Sequence, residues 1–94
     1  MAEHEVRRND ADRRYELWID DDMAGIADFR LDGEAVVLPH TVIDPARRGQ
    51  GLGAVLVQGA LDDIRSAGRT VVPTCSYVRE FIDEHPEHQD LLAA

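Results

Sequence analysis

Residues 34 to 75 constrain the fold more than any other part of this chain. "EAVVLPHTVI" (34 to 43) is apolar on both of its alternating faces, Val36, Leu38 and Val42 against Ala35, Val37 and Ile43, the pattern of a strand covered on both sides. "DPARRGQG" then breaks it. Leu52, Val55, Leu56, Ala60, Ile64 and Ala67 follow at helical spacing over 51 to 67, with Gly68 as the stop, and "TVVPTC" (70 to 75) is a second short apolar strand. Strand, helix, strand in that order is a crossover unit, so its two strands are parallel and its connection right-handed. Pro73 cannot donate to a sheet ladder, which makes the second strand an edge or parts it from its neighbour at that point. Parted parallel strands leave a cleft.

Upstream, residues 5 to 43 read as strands. In "YELWID" (15 to 20) Tyr15, Leu17 and Ile19 share one face, and in "AGIADFRL" (24 to 31) Ala27, Phe29 and Leu31 do the same. "DDD" (20 to 22) and "DG" (32 to 33) stand where tight turns belong, so these strands are antiparallel. After the second parallel strand, "SYVREFIDEH" (76 to 85) is a short helix with Tyr77, Phe81 and Val78 inward, and Pro86 opens a final turn or helix. The expected class is α+β: antiparallel strands, a βαβ unit with splayed parallel strands, and a C-terminal helix. Ninety-four residues suffice for one domain, 1 to 94, with one core.

Nineteen acidic against ten basic residues give a formal charge of −9, which repels nucleic acid and anionic membranes. Every basic residue is arginine, so Schiff-base lysine chemistry and a P-loop lysine are excluded. No apolar run reaches the ~18 residues of a membrane span, and "AEHEVRRNDADRRYE" has no apolar signal core. The single cysteine, Cys75, cannot form an intrachain disulfide and fits a reducing cytoplasm. No metal is expected: the three aspartates read as a solvated turn, and His85 with His88 lacks a full ligand set.

"ARRGQGLGAVL" (46 to 56) is the functional signal. A glycine turn opening a helix presents several N–H groups on one concave side, and the helix field adds to their attraction for an anion. The helix end contributes about 0.3 to 1 kcal/mol and each charge-assisted hydrogen bond about 1.5 to 3, so amides plus Arg47 or Arg48 can hold a pyrophosphate on an acidic protein. The P-loop ending Gly-Lys-Ser/Thr is missing, and the glycines are not spaced as in a dinucleotide fold. By itself, then, the turn leaves a phosphate ligand and a plain helix entry both open.

Arg48-Gly49-Gln50-Gly51-Leu52-Gly53 matches the (Arg/Gln)-x-x-Gly-x-(Gly/Ala) signature of the GNAT acetyltransferase superfamily, and from "LPHTVIDPARRG" to the C-terminus the chain resembles its compact, single-domain N-acetyltransferase family. The resemblance implies acetyl-CoA as cosubstrate. Its pyrophosphate would rest on amides of Gly49, Gln50, Gly51, Leu52, Gly53 and Ala54 with Arg47 or Arg48 beside it, and its pantetheine would pair with backbone near Val42 and Ile43. Larger relatives have an additional helical pair that this chain lacks, which implies an open acceptor site.

Acetyl transfer needs a neutral amine, a polarised thioester carbonyl and help for the departing thiolate. The N–H of Val42 is one donor to the carbonyl. His40, Thr41, Cys75 and Tyr77 lie near the strand ends that flank the cleft. His40 can take the amine proton, or is a satisfied structural residue. Cys75, just ahead of a helix whose field lowers a thiol pKa, lines the thiol site as proton donor or nucleophile, direct transfer being favoured, or is a small buried hydrophobe. Tyr77 either donates to the thiolate or packs with Phe81. The expected function is acetyl transfer to a primary amine by a monomer or weak homodimer. The competing readings are a CoA-binding module without catalysis and a protein-interaction domain whose glycine turn is only structural.

Overall fold

The computed structural model describes residues 3–93. The chain runs β1 (His4–Asn9), β2 (Arg14–Ile19), β3 (Asp22–Asp32), β4 (Ala35–Ile43), a 3-10 turn (Pro45–Arg47), α1 (Leu52–Ser66), β5 (Thr70–Val72), α2 (Ser76–Glu84) and a second 3-10 turn (Pro86–Leu91). The five strands form one mixed sheet in sequence order, antiparallel from β1 to β4 and parallel between β4 and β5. Aspartate and glycine shape two of the three hairpins. Asp20 and Gly33 take φ of 52° and 61° in the β2–β3 and β3–β4 turns, conformations these residues tolerate better than most.

One face of the sheet is covered. Tyr15, Leu17 and Ile19 of β2, Ala27 and Phe29 of β3, and Val36 and Leu38 of β4 pack with Leu52, Leu56, Val57, Ala60, Leu61 and Ile64 of α1. Val78, Phe81 and Ile82 of α2, with Leu91, complete the same cluster. The helical stripe is thus wider than its sequence spacing indicated, since Val57 and Leu61 are buried; Ala67 lies beyond the helix end and is exposed. No helix among the described residues is long and apolar enough to cross a membrane.

Three apolar residues expected inside are not. Leu31 is 45% exposed, Tyr77 42% and Val42 50%. Leu31 follows Phe29 on the helix-facing side of β3, where the sheet runs past the last turn of α1. Val42 lies across from Ile26 on the other face, which no helix covers, so β4 is enclosed only over Val36, Val37 and Leu38. That open face also carries Glu16, whose carboxylate accepts from Asn9, Arg14 and Trp18.

The cleft begins at a slip in the ladder. β3 and β4 pair Asp28 with His40 and Arg30 with Val37, so Leu38 and Pro39 together oppose Phe29. Pro39, without an N–H, fits such a bulge. The β4–β5 ladder ends at Val37↔Val72 and is followed by Pro73. The last backbone–backbone tie is the Cys75 N–H donating to the Leu38 carbonyl at 3.0 Å. Beyond it β4 continues to Ile43 without β5 beside it.

Candidate functional site

At the mouth of this gap, a cleft of about 390 Å³ lies between the end of β4 (Thr41, Val42 and Ile43), the turn from Arg47 to Gly53, and Tyr77. Asp44 shapes the turn before the glycines. Its carboxylate accepts from the Ala46 N–H at 3.0 Å and its carbonyl from the Arg47 N–H at 2.8 Å, while Pro45 supplies the fixed φ of a helix start. Gly49 and Gly51 then take φ of 83° and 72°, left-handed conformations that cost other residues about 1 to 2 kcal/mol.

The N–H groups of residues 48 to 54 have no protein acceptor among the described residues. The first intrahelical donors follow at Val55, bonded to the Gly51 carbonyl at 3.4 Å. Orphan donors at a helix start are general; here they adjoin an open cleft. Gly53 has a separate reason to be glycine, since a Cβ there would stand 2.7 Å from the Tyr77 hydroxyl oxygen. Tyr77 thereby lies across the first turn of α1.

The two arginines of the turn differ. The Arg47 guanidinium is held by Asp22 at 3.2 Å and Asp44 at 3.9 Å, whereas exposed Arg48 has no carboxylate within ion-pair distance among the described residues. Two residues expected at the site, exposed Gln50 and Ala54, are not among those that line the cleft; Ala54 lines a groove between α1 and α2 instead.

The direction of the β4 amides corrects one expectation. The Asp44 N–H donates to the Ala24 carbonyl at 2.8 Å, and an antiparallel ladder alternates, so Val42, opposite Ile26, turns its N–H toward β3. The groups of Thr41 and Ile43 face the gap instead. Val42 lines the cleft but does not supply the donor expected of it.

Cys75 is the N-cap residue of α2, with its Sγ 3.7 Å from the Thr41 Oγ1. Burial pushes this thiol up, but the Val78 N–H, the Thr41 hydroxyl and the N–H groups of Tyr77 and Thr41 outweigh it, and the thiol is held below its ordinary value. Tyr77 goes the other way: burial raises its phenol, and the Glu84 charge adds to this, so its proton is retained at neutral pH. His40 is exposed and pairs across from Asp28, while Thr41 pairs across from Ala27. Side chains alternate along a strand, so Cys75, beside Thr41, and His40 lie on opposite sides of β4.

His85 and His88 are engaged with protein groups. His85 Nδ1 meets the Phe81 carbonyl at 2.7 Å and His88 Nε2 the Gln58 Oε1 at 3.0 Å. Sequence reasoning missed that Asp22 and Asp44 anchor Arg47 and that the Leu38 carbonyl fastens Cys75. "DP" at 44 to 45 was a readable signal for the first of these; the second depends on a bulge that no spacing announces.

A family model described as GCN5-related N-acetyl-transferase matches residues 14–91. Among solved structures, a GCN5-like N-acetyltransferase candidate from Staphylococcus aureus superimposes with a TM-score of 0.72 at 17% identity, over 96% of this chain and 88% of that one. The ribosomal-protein-S18-alanine N-acetyltransferase of Escherichia coli gives 0.64 at 19% identity over 77% of this chain, and a GNAT acetyltransferase candidate from Desulfovibrio desulfuricans 0.59 at 23% over 76%. The matches span only 51% and 52% of those two longer chains. At these identities the likeness is one of fold, and it includes the mixed α+β sheet described above. With the matched family covering all but the first strand and the last residues, the chain belongs to the GCN5-related N-acetyltransferases.

Proposed function

We propose that this chain, acting as one 94-residue unit, moves the acetyl group of acetyl-CoA to a primary amine. The observation that carries the reading is the run of N–H groups from residue 48 to 54, without protein acceptors, at the mouth of a cleft whose far wall is the unpaired edge of β4. Donors left this way on a helix N-terminus suit a pyrophosphate, and Arg48 adds the charge that Arg47 has spent on Asp22 and Asp44. Pantetheine would then lie along β4 and bond the backbone of Thr41 and Ile43. Its thioester would reach the Cys75 end of the gap.

In this reading the amine nitrogen adds to the thioester carbonyl carbon, with the N–H of Thr41 or Ile43 as donor to the developing oxyanion. The C–S bond breaks as the amide forms, and the CoA sulfur leaves as thiolate. The α2 N-terminus that favours a Cys75 thiolate also favours that anion, and Tyr77, which keeps its proton, can supply one. The amine's surplus proton leaves from the other side, where His40 stands on the open face. Because the acceptor enters from this uncovered side of a protein of charge −9, a cationic amine is the favoured class, in a small molecule or a basic peptide.

Incubation with acetyl-CoA and a panel comprising spermidine, a lysine-containing peptide and an N-terminal peptide amine, followed as release of free thiol, tests the reading. Thiol release that depends on the amine supports transfer. Coenzyme binding with thiol release no faster than background leaves a coenzyme-binding module, and no coenzyme binding overturns both.

A further inference from the structure

A second cavity, of about 400 Å³, opens at the other end of α1. The cleft meets the helix at Leu52 and Gly53, and this cavity meets it at Asp63 and Ile64 and its C-cap at Ala67. At ~1.5 Å per residue the two ends of the helix stand about 20 Å apart, so one small molecule cannot fill both.

Two features of this cavity remain unexplained by folding or by acetyl transfer. The first is apolar. Phe29, Leu31 and Val36 face it from the helix side of the sheet, and Leu31, 45% exposed, is a core-facing side chain that the core does not cover. The second is a charge. Arg8 is spent on Asp63 at 2.9 Å and on Asp10 at 3.0 Å, and the Tyr15 hydroxyl donates to Asp63 at 2.8 Å. Burial and that carboxylate push the Tyr15 phenol up, so it stays protonated. Arg69 is different: half-buried, it gives one bond, from Nη1 to the Gly33 carbonyl at 3.1 Å, and has no carboxylate within ion-pair distance among the described residues. Of the four arginines that line the cleft and this cavity, Arg47 and Arg8 are neutralised by aspartates, while Arg48 and Arg69 are not.

We propose that this cavity binds a small monocarboxylate with a compact apolar body. The carboxylate pairs with the unspent N–H groups of the planar Arg69 guanidinium, and the body covers Phe29 and Leu31. Asp10 and Asp63 on the same rim disfavour a ligand of higher negative charge, which selects a carboxylate over a phosphate. The inference does not depend on the function proposed for the cleft.

Phenylacetate serves as the probe and 2-phenylethanol as its neutral counterpart, titrated into the 15N-labelled protein at millimolar concentrations and followed by amide NMR. Phenylacetate is expected to give saturable shifts at Leu31, Gly33, Ala67 and Arg69 while residues 48 to 54 stay in place, and 2-phenylethanol to bind about tenfold more weakly. Arg69→Gln is expected to erase that difference, and Leu31→Glu, at an exposed position, to abolish binding. Absence of saturable shifts, shifts confined to the cleft, equal binding of acid and alcohol, or undiminished binding by the folded variants overturns the proposal. Either variant alone decides the matter should the other fail to fold.

Discussion

Cys75 shows how much a residue's chemistry depends on where its strand ends. Its position before a helix was readable from "TVVPTCSY", and with it the expectation of a helix field on the thiol. The Thr41 hydroxyl at 3.7 Å was not readable as a partner, because the β4 bulge sets which side chain faces the thiol. The lowered pKa has a signed consequence: at a given pH below the ordinary thiol value, more of Cys75 is thiolate. Its alkylation by iodoacetamide, measured against pH, is expected to rise at lower pH than in an unfolded control, and Thr41→Val to move the profile back upward. Coincident profiles for folded and unfolded protein would deny the effect. Cys75→Ala is expected to slow turnover while leaving CoA affinity nearly intact, measured by thiol release and calorimetry; unchanged turnover removes Cys75 from the mechanism.

For individual elements, the glycines of the turn separate by function. Gly51 carries φ of 72°, so Gly51→Ala is expected to cost about 1 to 2 kcal/mol of stability, read in denaturant unfolding. Gly53 is inside α1 and meets only the far end of Tyr77, an exposed side chain that can swing away. Gly53→Ala is therefore expected to leave stability level or raise it by about 0.5 to 1 kcal/mol, yet to weaken coenzyme binding by displacing Tyr77 from the cleft. Equal losses of stability in both variants would contradict this division. The elements themselves were largely legible: hydrophobic periodicity located β2 to β4, α1 and α2, and Pro73 announced the parted strands. Periodicity fails where an element outruns its cover, as at Leu31 and Val42, because alternation records which face a residue takes and not whether anything lies over that face.

Across the whole molecule, the same sheet serves two purposes. Its helix-covered face holds the core, and in the proposed function its open face would give the acceptor an approach to the gap between β4 and β5. The excess of nineteen acidic over ten basic residues was visible in the sequence, and in the proposed function its opposition to a polyanionic coenzyme would be offset locally, by Arg48 and the free amides. A long-range field of this sign is expected to attract a cationic amine, so its KM should rise as sodium chloride is raised past ~0.1 M, where screening shortens to about 10 Å. A neutral amine should show little change. An identical salt response for both would remove charge from the choice of acceptor.

The most direct measurement is an amide NMR titration with CoA, set beside pantetheine, which lacks the diphosphate. Binding at the helix mouth calls for CoA to move the N–H signals of residues 48 to 54 most, with smaller shifts at Thr41 and Ile43, and for pantetheine to leave the signals of 48 to 54 nearly in place. Saturation by CoA that leaves residues 48 to 54 unmoved, or equal shifts there from pantetheine, would contradict it.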